Sequence, residues 1–103
     1  MEIMSPDQPR NAPALDLADR RERQRRSIRH AQAKLAAFVR SSADDVAEAA
    51  HAAEAALRGA LSSGAEVERV SAELEVSPRA LRAIVDGSVP LRTLHPDDRL
   101  RLA

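Results

Sequence analysis

The chain contains no cysteine, tryptophan or tyrosine, and Phe38 is its single aromatic residue. Without cysteine there can be no disulfide and no thiolate metal site, which fits an intracellular address. One ring in 103 residues leaves any core to Leu, Val, Ile and the abundant Ala, side chains suited to closely packed helices. No run of about 18 apolar residues is present to span a bilayer. The opening MEIMSPDQPR lacks the basic-then-apolar order of a secretory signal. A cytosolic protein with no membrane contact is therefore expected. Strand-like alternation and internal repeats are also missing. The expectation is an all-α fold with one modest core.

Reactive constellations are equally scarce. His30, His51 and His95 are scattered, with no partner at metal-ligand spacing and no HExxH pattern. Ser62 and Ser63 precede Gly64 but form no nucleophile elbow, and no glycine-rich loop leads to a lysine that would hold a nucleotide. The adjacent acids Asp44–Asp45 and Asp97–Asp98 fall near expected helix starts, where capping and the helix dipole account for them. The pattern predicts no enzyme, no metal, no cofactor and no small-molecule ligand.

Charge, by contrast, is plentiful and unevenly placed. Sixteen basic and sixteen acidic residues cancel to zero net charge. Residues 20–40 nevertheless hold seven Arg and Lys34 against Glu22 alone, whereas residues 41–76 hold eight acids against Arg58 and Arg69. Residues 77–103 are mildly basic again, with five Arg against three acids. Fifteen of the sixteen basic residues are Arg, a composition that suits phosphate and guanine recognition and equally reflects a GC-rich genome. A neutral chain with a basic face can bind DNA through local phosphate neutralisation.

Along the chain, residues 1–14 carry three of the six prolines and predict a flexible leader. Residues 15–40 predict an Arg-rich helix. Its start is acidic at Asp16 and Asp19, its first half is polar, and Ile28, Ala31, Leu35, Phe38 and Val39 form an apolar stripe in its second half. The second half should pack while the first projects into solvent or onto phosphates. Ser42 and Asp45 resemble a capping box opening a helix from about Ala43 to Leu61, with Val46, Ala50, Ala53, Leu57 and Leu61 inward. Residues 43–103 form the expected main domain.

Residues 67–87, VERVSAELEVSPRALRAIVDG, predict a helix, a three-residue turn and a second helix. Val67, Val70 and Leu74 make the inner face of the first; Val76, Leu81, Ile84 and Val85 complete it from the turn and the second. Ser77 followed by Pro78 is a helix-start signal, and Gly87 after Asp86 is a matching stop.

This segment resembles the helix-turn-helix of the Cro-like repressor family, of the temperate-phage immunity type. Val70 and Ser71 stand before the turn, Val76 and Ser77 lead into the recognition helix at about 77–86, Leu81 and Ile84 follow, and Gly87 and Pro90 match the family's exit from it. The family usually has Ala where Ser71 stands and Gly where Glu75 stands, so the turn must take a left-handed or distorted geometry at a non-glycine residue. LHPDDRLRLA resembles the beginning of the family's next helix.

The resemblance implies a small helix-turn-helix DNA-binding domain carrying an additional long Arg-rich N-terminal helix. It implies a bacterial cytosolic repressor that occupies a double-stranded DNA operator, either a phage immunity repressor or an antitoxin-like autoregulator. Base contacts would come from Arg79 and Arg82, with Ala83 and Pro78 beside them on the recognition helix. Phosphate contacts would come from Ser77, Arg69, Arg92 and the cluster Arg20, Arg21, Arg23, Arg25, Arg26 and Arg29. A homodimer on a palindrome and a monomer with two DNA-contacting elements both remain open. The cluster also reads as a solvated face, an RNA-binding helix, or a dimer contact with the acidic 41–76 segment. The rival from another class is a helical protein-interaction adaptor, antitoxin-like or anti-sigma-like, that uses its acids on a basic partner. The end, LRLA, either packs as a last helical turn or forms an apolar terminus open to unfoldase proteases.

Overall fold

The computed structural model describes the backbone of residues 4–101 and the side chains of residues 17–101. They form four α-helices, α1 (Met4–Val39), α2 (Val46–Ser62), α3 (Val67–Leu74) and α4 (Pro78–Val85), then 3-10 turns at Leu91–Leu94 and Asp98–Leu100. The fold is all-α among the described residues. None of their helices is long and apolar enough to cross a membrane.

Helix α1 begins at Met4, so most of the stretch expected as a leader over residues 1–14 is helical and the expected start near Leu15 is corrected. Pro6 falls in the first turn, where an amide hydrogen has no intrahelical acceptor. Pro9 and Pro13 each delete one helix hydrogen bond, which is why the pattern predicts a break there. Residues 1–3 lie outside the described part. Among described side chains, the first buried residue of α1 is Ile28, followed by Ala31 and Phe38, with Leu35 half-buried. Val39 was expected in this stripe but is 49% exposed, because it lies about 100° around the helix from Phe38.

Helix α2 returns antiparallel along the apolar half of α1. Gln24 Nε2 donates to Ser63 O at 3.4 Å where α2 ends, and α1 continues past this point. At about 1.5 Å per residue α1 is roughly twice as long as α2, and the molecule is accordingly elongated, 68 × 25 × 19 Å. The expected capping box does not form. Helix α2 starts at Val46, and Asp45 N–H donates to the Ser42 carbonyl rather than to its hydroxyl. The Ser42 hydroxyl bonds Asp45 Oδ2 at 3.1 Å, and a turn replaces the first residues expected in the helix.

One core joins all four helices. Six of its fourteen buried apolar residues are alanine, which lets the helix axes approach closely; Ile28, Leu57, Leu81 and Ile84 are its largest fully buried aliphatic side chains. Helices α3 and α4 both pack on α2, and α3 also meets α1.

The chain after α4 is tied down by long-range polar contacts. The half-buried Glu54 carboxylate accepts the Leu91 N–H at 2.8 Å, capping the first 3-10 turn from α2. His95 is 2% exposed, and its ring meets Phe38 edge-on at 4.8 Å. Nδ1 accepts the Asp97 N–H at 2.9 Å, so Nε2 carries the proton and donates to Phe38 O at 3.0 Å. The expected α-helix beginning in LHPDDRLRLA is a pair of 3-10 turns instead. Pro96 blocks helix across 95–97, and the Leu100 and Arg101 amides bond three residues back. Leu100 packs half-buried on the core, while Leu102 and Ala103, on which the terminus question turns, lie outside the described residues.

Candidate functional site

Helices α3 and α4 are joined by Glu75, Val76 and Ser77 alone. Glu75 adopts φ 58°, ψ 41°, the left-handed geometry expected where the resemblance calls for glycine, and it is the one non-glycine with positive φ among the described residues. The strain costs roughly 1–2 kcal/mol, and Ser71 offsets it. Its buried hydroxyl donates to the Val76 carbonyl, and its own carbonyl accepts the Val76 N–H at 3.1 Å. Ser71 and Glu75 thus act on one turn: the serine holds the backbone that the left-handed glutamate strains.

Helix α4 opens as its sequence dictates. Ser77 sits in extended geometry and its Oγ accepts the Ala80 N–H at 3.1 Å, while Pro78 occupies the first helical position. Leu81 and Ile84 are buried, with Val85 half-buried. Gly87, at φ 87°, ends the helix and turns the chain back so that Val89 N–H bonds Ala83 O at 3.1 Å. From α2, Arg58 Nε donates to Val85 O at 3.2 Å, satisfying a carbonyl left over at the end of α4. From α1, Gln32 Nε2 donates to Glu73 O at 3.1 Å near the end of α3. The two-helix unit is therefore clamped to both long helices, a feature no local pattern announced.

Opposite its buried side, α4 presents Arg79, Arg82 and Ala83, with Asp86 at the end. Arg79 is exposed and has no hydrogen bond or ion pair among the described residues. Arg82 approaches Glu68 of α3 at 3.7 Å, a contact between two exposed groups that is worth at most about 1 kcal/mol. Ala83 and Pro78 are half-buried beside them. The Ser88 hydroxyl and N–H hold the Asp86 carboxyl below its usual range, so α4 ends with a negative charge held in place by the turn that follows it.

The expected phosphate-binding residues do not form one surface. Arg69 was expected on the outer side of α3. It is exposed there, and bonds Glu73 of the same helix at 3.2 Å and Gln24 of α1 at 3.4 Å. Arg92 is half-buried and donates to Leu100 O at 3.0 Å, so it closes the chain's own C-terminal segment. On α1, Arg25, Arg26 and Arg29 gather around Glu22 at 2.9, 3.8 and 3.9 Å, on the face turned away from Ile28 and Ala31. The Arg25 hydrogen bond, then its charge, holds the Glu22 carboxyl below its usual range. Arg20 and Arg21 are exposed on the Gln24 side of the helix, and Arg23 is exposed as well.

Among the described residues, no three His, Asp or Glu side chains gather as a metal site. Comparison of the chain with protein-family models, with curated proteins and with solved structures finds no match.

Proposed function

We propose that the chain is a sequence-specific DNA-binding regulator of repressor type, in which α4 enters the major groove and operator occupancy excludes polymerase. The observation that carries this is the state of the arginines from residue 41 to 101. Arg58, Arg69, Arg92, Arg99 and Arg101 are hydrogen-bonded within the described residues and Arg82 has the loose ion pair with Glu68, whereas Arg79 has neither. It projects from the first turn of a capped helix that is clamped from two sides. A guanidinium so placed can donate two hydrogen bonds to guanine O6 and N7, worth roughly 1–3 kcal/mol of discrimination. The Ser77 hydroxyl accepts from Ala80 and keeps its own hydrogen for a phosphate oxygen. Arg20, Arg21 and Arg23 add sequence-independent attraction.

Selection of bound sequences from random duplex DNA at two salt concentrations tests the proposal. An enriched motif of a few bases, with affinity falling as salt rises, is the expected result, and its symmetry reports whether two copies bind together. The pair Arg79→Glu and Arg82→Glu should abolish the enrichment while circular dichroism stays unchanged. Absence of binding at low salt sinks the proposal. The adaptor alternative draws its support from the exposed Asp44, Asp45 and Glu48 at the start of α2. It predicts that neutralising those acids, and not the arginine pair, removes a protein partner.

A further inference from the structure

Beside the exposed face of α4 lies a groove of about 350 Å³ lined by Ser77, Arg79, Ala80, Ala83, Val89 and Leu94. Its walls are fixed. Ala80 and Ala83 belong to α4, Val89 is bonded to Ala83 through the backbone, and Leu94 ends the 3-10 turn that Glu54 caps. Leu94 is 48% exposed although its neighbours Leu91 and His95 are buried at 4% and 2%. A large apolar side chain is thus held in water by a rigid base, next to alanines that leave the groove open. Among the lining residues Arg79 is the sole charge, and there is no acid. An occupant must therefore join an apolar group to an electronegative edge.

Thymine has that combination in the major groove, being the base with an apolar substituent there: a 5-methyl group beside the O4 acceptor. We infer that the groove between α4 and Leu94 is a thymine-reading slot, taking the methyl group of a thymine next to the guanine bound by Arg79. The inference rests on the DNA-binding proposal and adds to it the identity of a second base. Ala80, Ala83, Val89 and Leu94 contact the methyl group, and Ser77 and Arg79 lie at the polar edge. Leu94, outside the helix-turn-helix itself, becomes a specificity-determining residue.

The test uses the full chain and the tightest duplex recovered by selection, with each thymidine replaced singly by deoxyuridine, which removes only the methyl group. One position beside the preferred guanine should lose about threefold to fivefold in affinity, the effect of burying one methyl group. Leu94→Ser, checked for fold by circular dichroism, should bind the two duplexes equally and keep its guanine preference. If a motif is enriched but no thymidine is sensitive, or if Leu94→Ser keeps the sensitivity, the slot is refuted and the DNA-binding proposal stands. If no motif is enriched, the DNA-binding proposal itself has failed. If Leu94→Ser instead dissociates a dimer in sedimentation velocity, the groove belongs to a second copy and the assignment is overturned.

Discussion

The arginines of α1 and those of α4 differ less in charge than in what holds them. On α1, Arg25, Arg26 and Arg29 share one partner, Glu22, on a face with no core beneath it, and no described side chain before Ile28 is fully buried. On α4, Arg79 stands one turn from a side-chain cap, over buried Leu81 and Ile84, on a helix whose last carbonyls are bonded by Arg58. Many clustered charges can neutralise phosphate wherever it lies. One unpaired guanidinium on a helix whose ends are held can tell bases apart, because a bidentate bond needs its point of attachment settled in advance. The comparison teaches that the basic stretch which dominates the charge pattern is suited to affinity, and the sparsely charged α4 to specificity.

The largest expected effect tests the mechanical half of this contrast. Leu57 is fully buried where α2 supports the rest of the core. Leu57→Ala should cost about 2–5 kcal/mol in denaturant unfolding, since the alanine-rich surroundings have few large side chains with which to refill the cavity. Leu17→Ala, on the projecting part of α1 where Leu17 is 49% exposed, should stay within about 0.5 kcal/mol. Comparable losses at both positions would show that α1 packs along its whole length and would break the comparison.

What was legible in the sequence divides along the same line. The α3–turn–α4 unit was readable because its determinants are local. Apolar spacing, the Ser77–Pro78 start, the Gly87 stop and the left-handed Glu75 are all settled within about one helical turn of the residues concerned. The His95–Phe38 pair was not readable, since a histidine and a carbonyl 57 residues apart leave no trace in local periodicity. The same holds for Arg58 at the end of α4, for Glu54 capping Leu91, and for Leu94 left in water while Leu91 is buried. The contact of Arg92 with the Leu100 carbonyl is set by the same long-range packing, whereas Arg69 stays exposed although it reaches Gln24. The start of α2 was misplaced because Ser42 and Asp45 can bond each other as readily as they can cap a helix.

A charge experiment separates the two arginine surfaces functionally. Replacing Arg20, Arg21, Arg23, Arg25, Arg26 and Arg29 by Gln should weaken binding to all duplexes alike and flatten the dependence of log affinity on log salt. Each lost phosphate contact should reduce the slope by about 0.9. The enriched motif should be unchanged. Arg79→Gln should do the reverse, costing about 1–3 kcal/mol at one base position with a smaller change in slope. A motif that shifts with the α1 variant would give that helix a share in base reading.

Smaller still is the effect expected at the turn that sets α4's direction. Ser71→Ala removes a buried hydroxyl whose loss leaves the Val76 carbonyl without that partner, at about 1–2 kcal/mol. Glu75→Gly relieves the left-handed strain and should recover about 1 kcal/mol. Because Ser71 and Glu75 act on the same three-residue turn, the double variant measures their coupling. Simple additivity in a double-mutant cycle would show that the two residues act independently.

Acid titration gives the smallest effect and compares one carboxylate from each region. Asp97 is held below its usual range first by the Arg99 side-chain hydrogen bond and then by the Arg99 N–H; Glu22 is held down by Arg25. A carboxyl depressed in the folded state adds stability above its unfolded pKa, near 4 for an ordinary Asp or Glu, and loses it as pH falls through the depressed value. Thermal stability should therefore decline below about pH 4, with these two groups contributing to the slope. Asp97→Asn should flatten part of that decline in the main unfolding transition, because Asp97 caps a turn whose Leu100 packs on the core. Glu22→Gln should leave the main transition unmoved and appear instead as faster amide exchange around residues 20–26, because Glu22 and its arginine partners lie on the face of α1 turned away from the core. If Glu22→Gln shifts the main transition as much as Asp97→Asn does, the projecting and packed parts of the molecule unfold as one unit, and α1 is as firmly held around its arginines as α4 is beneath Arg79.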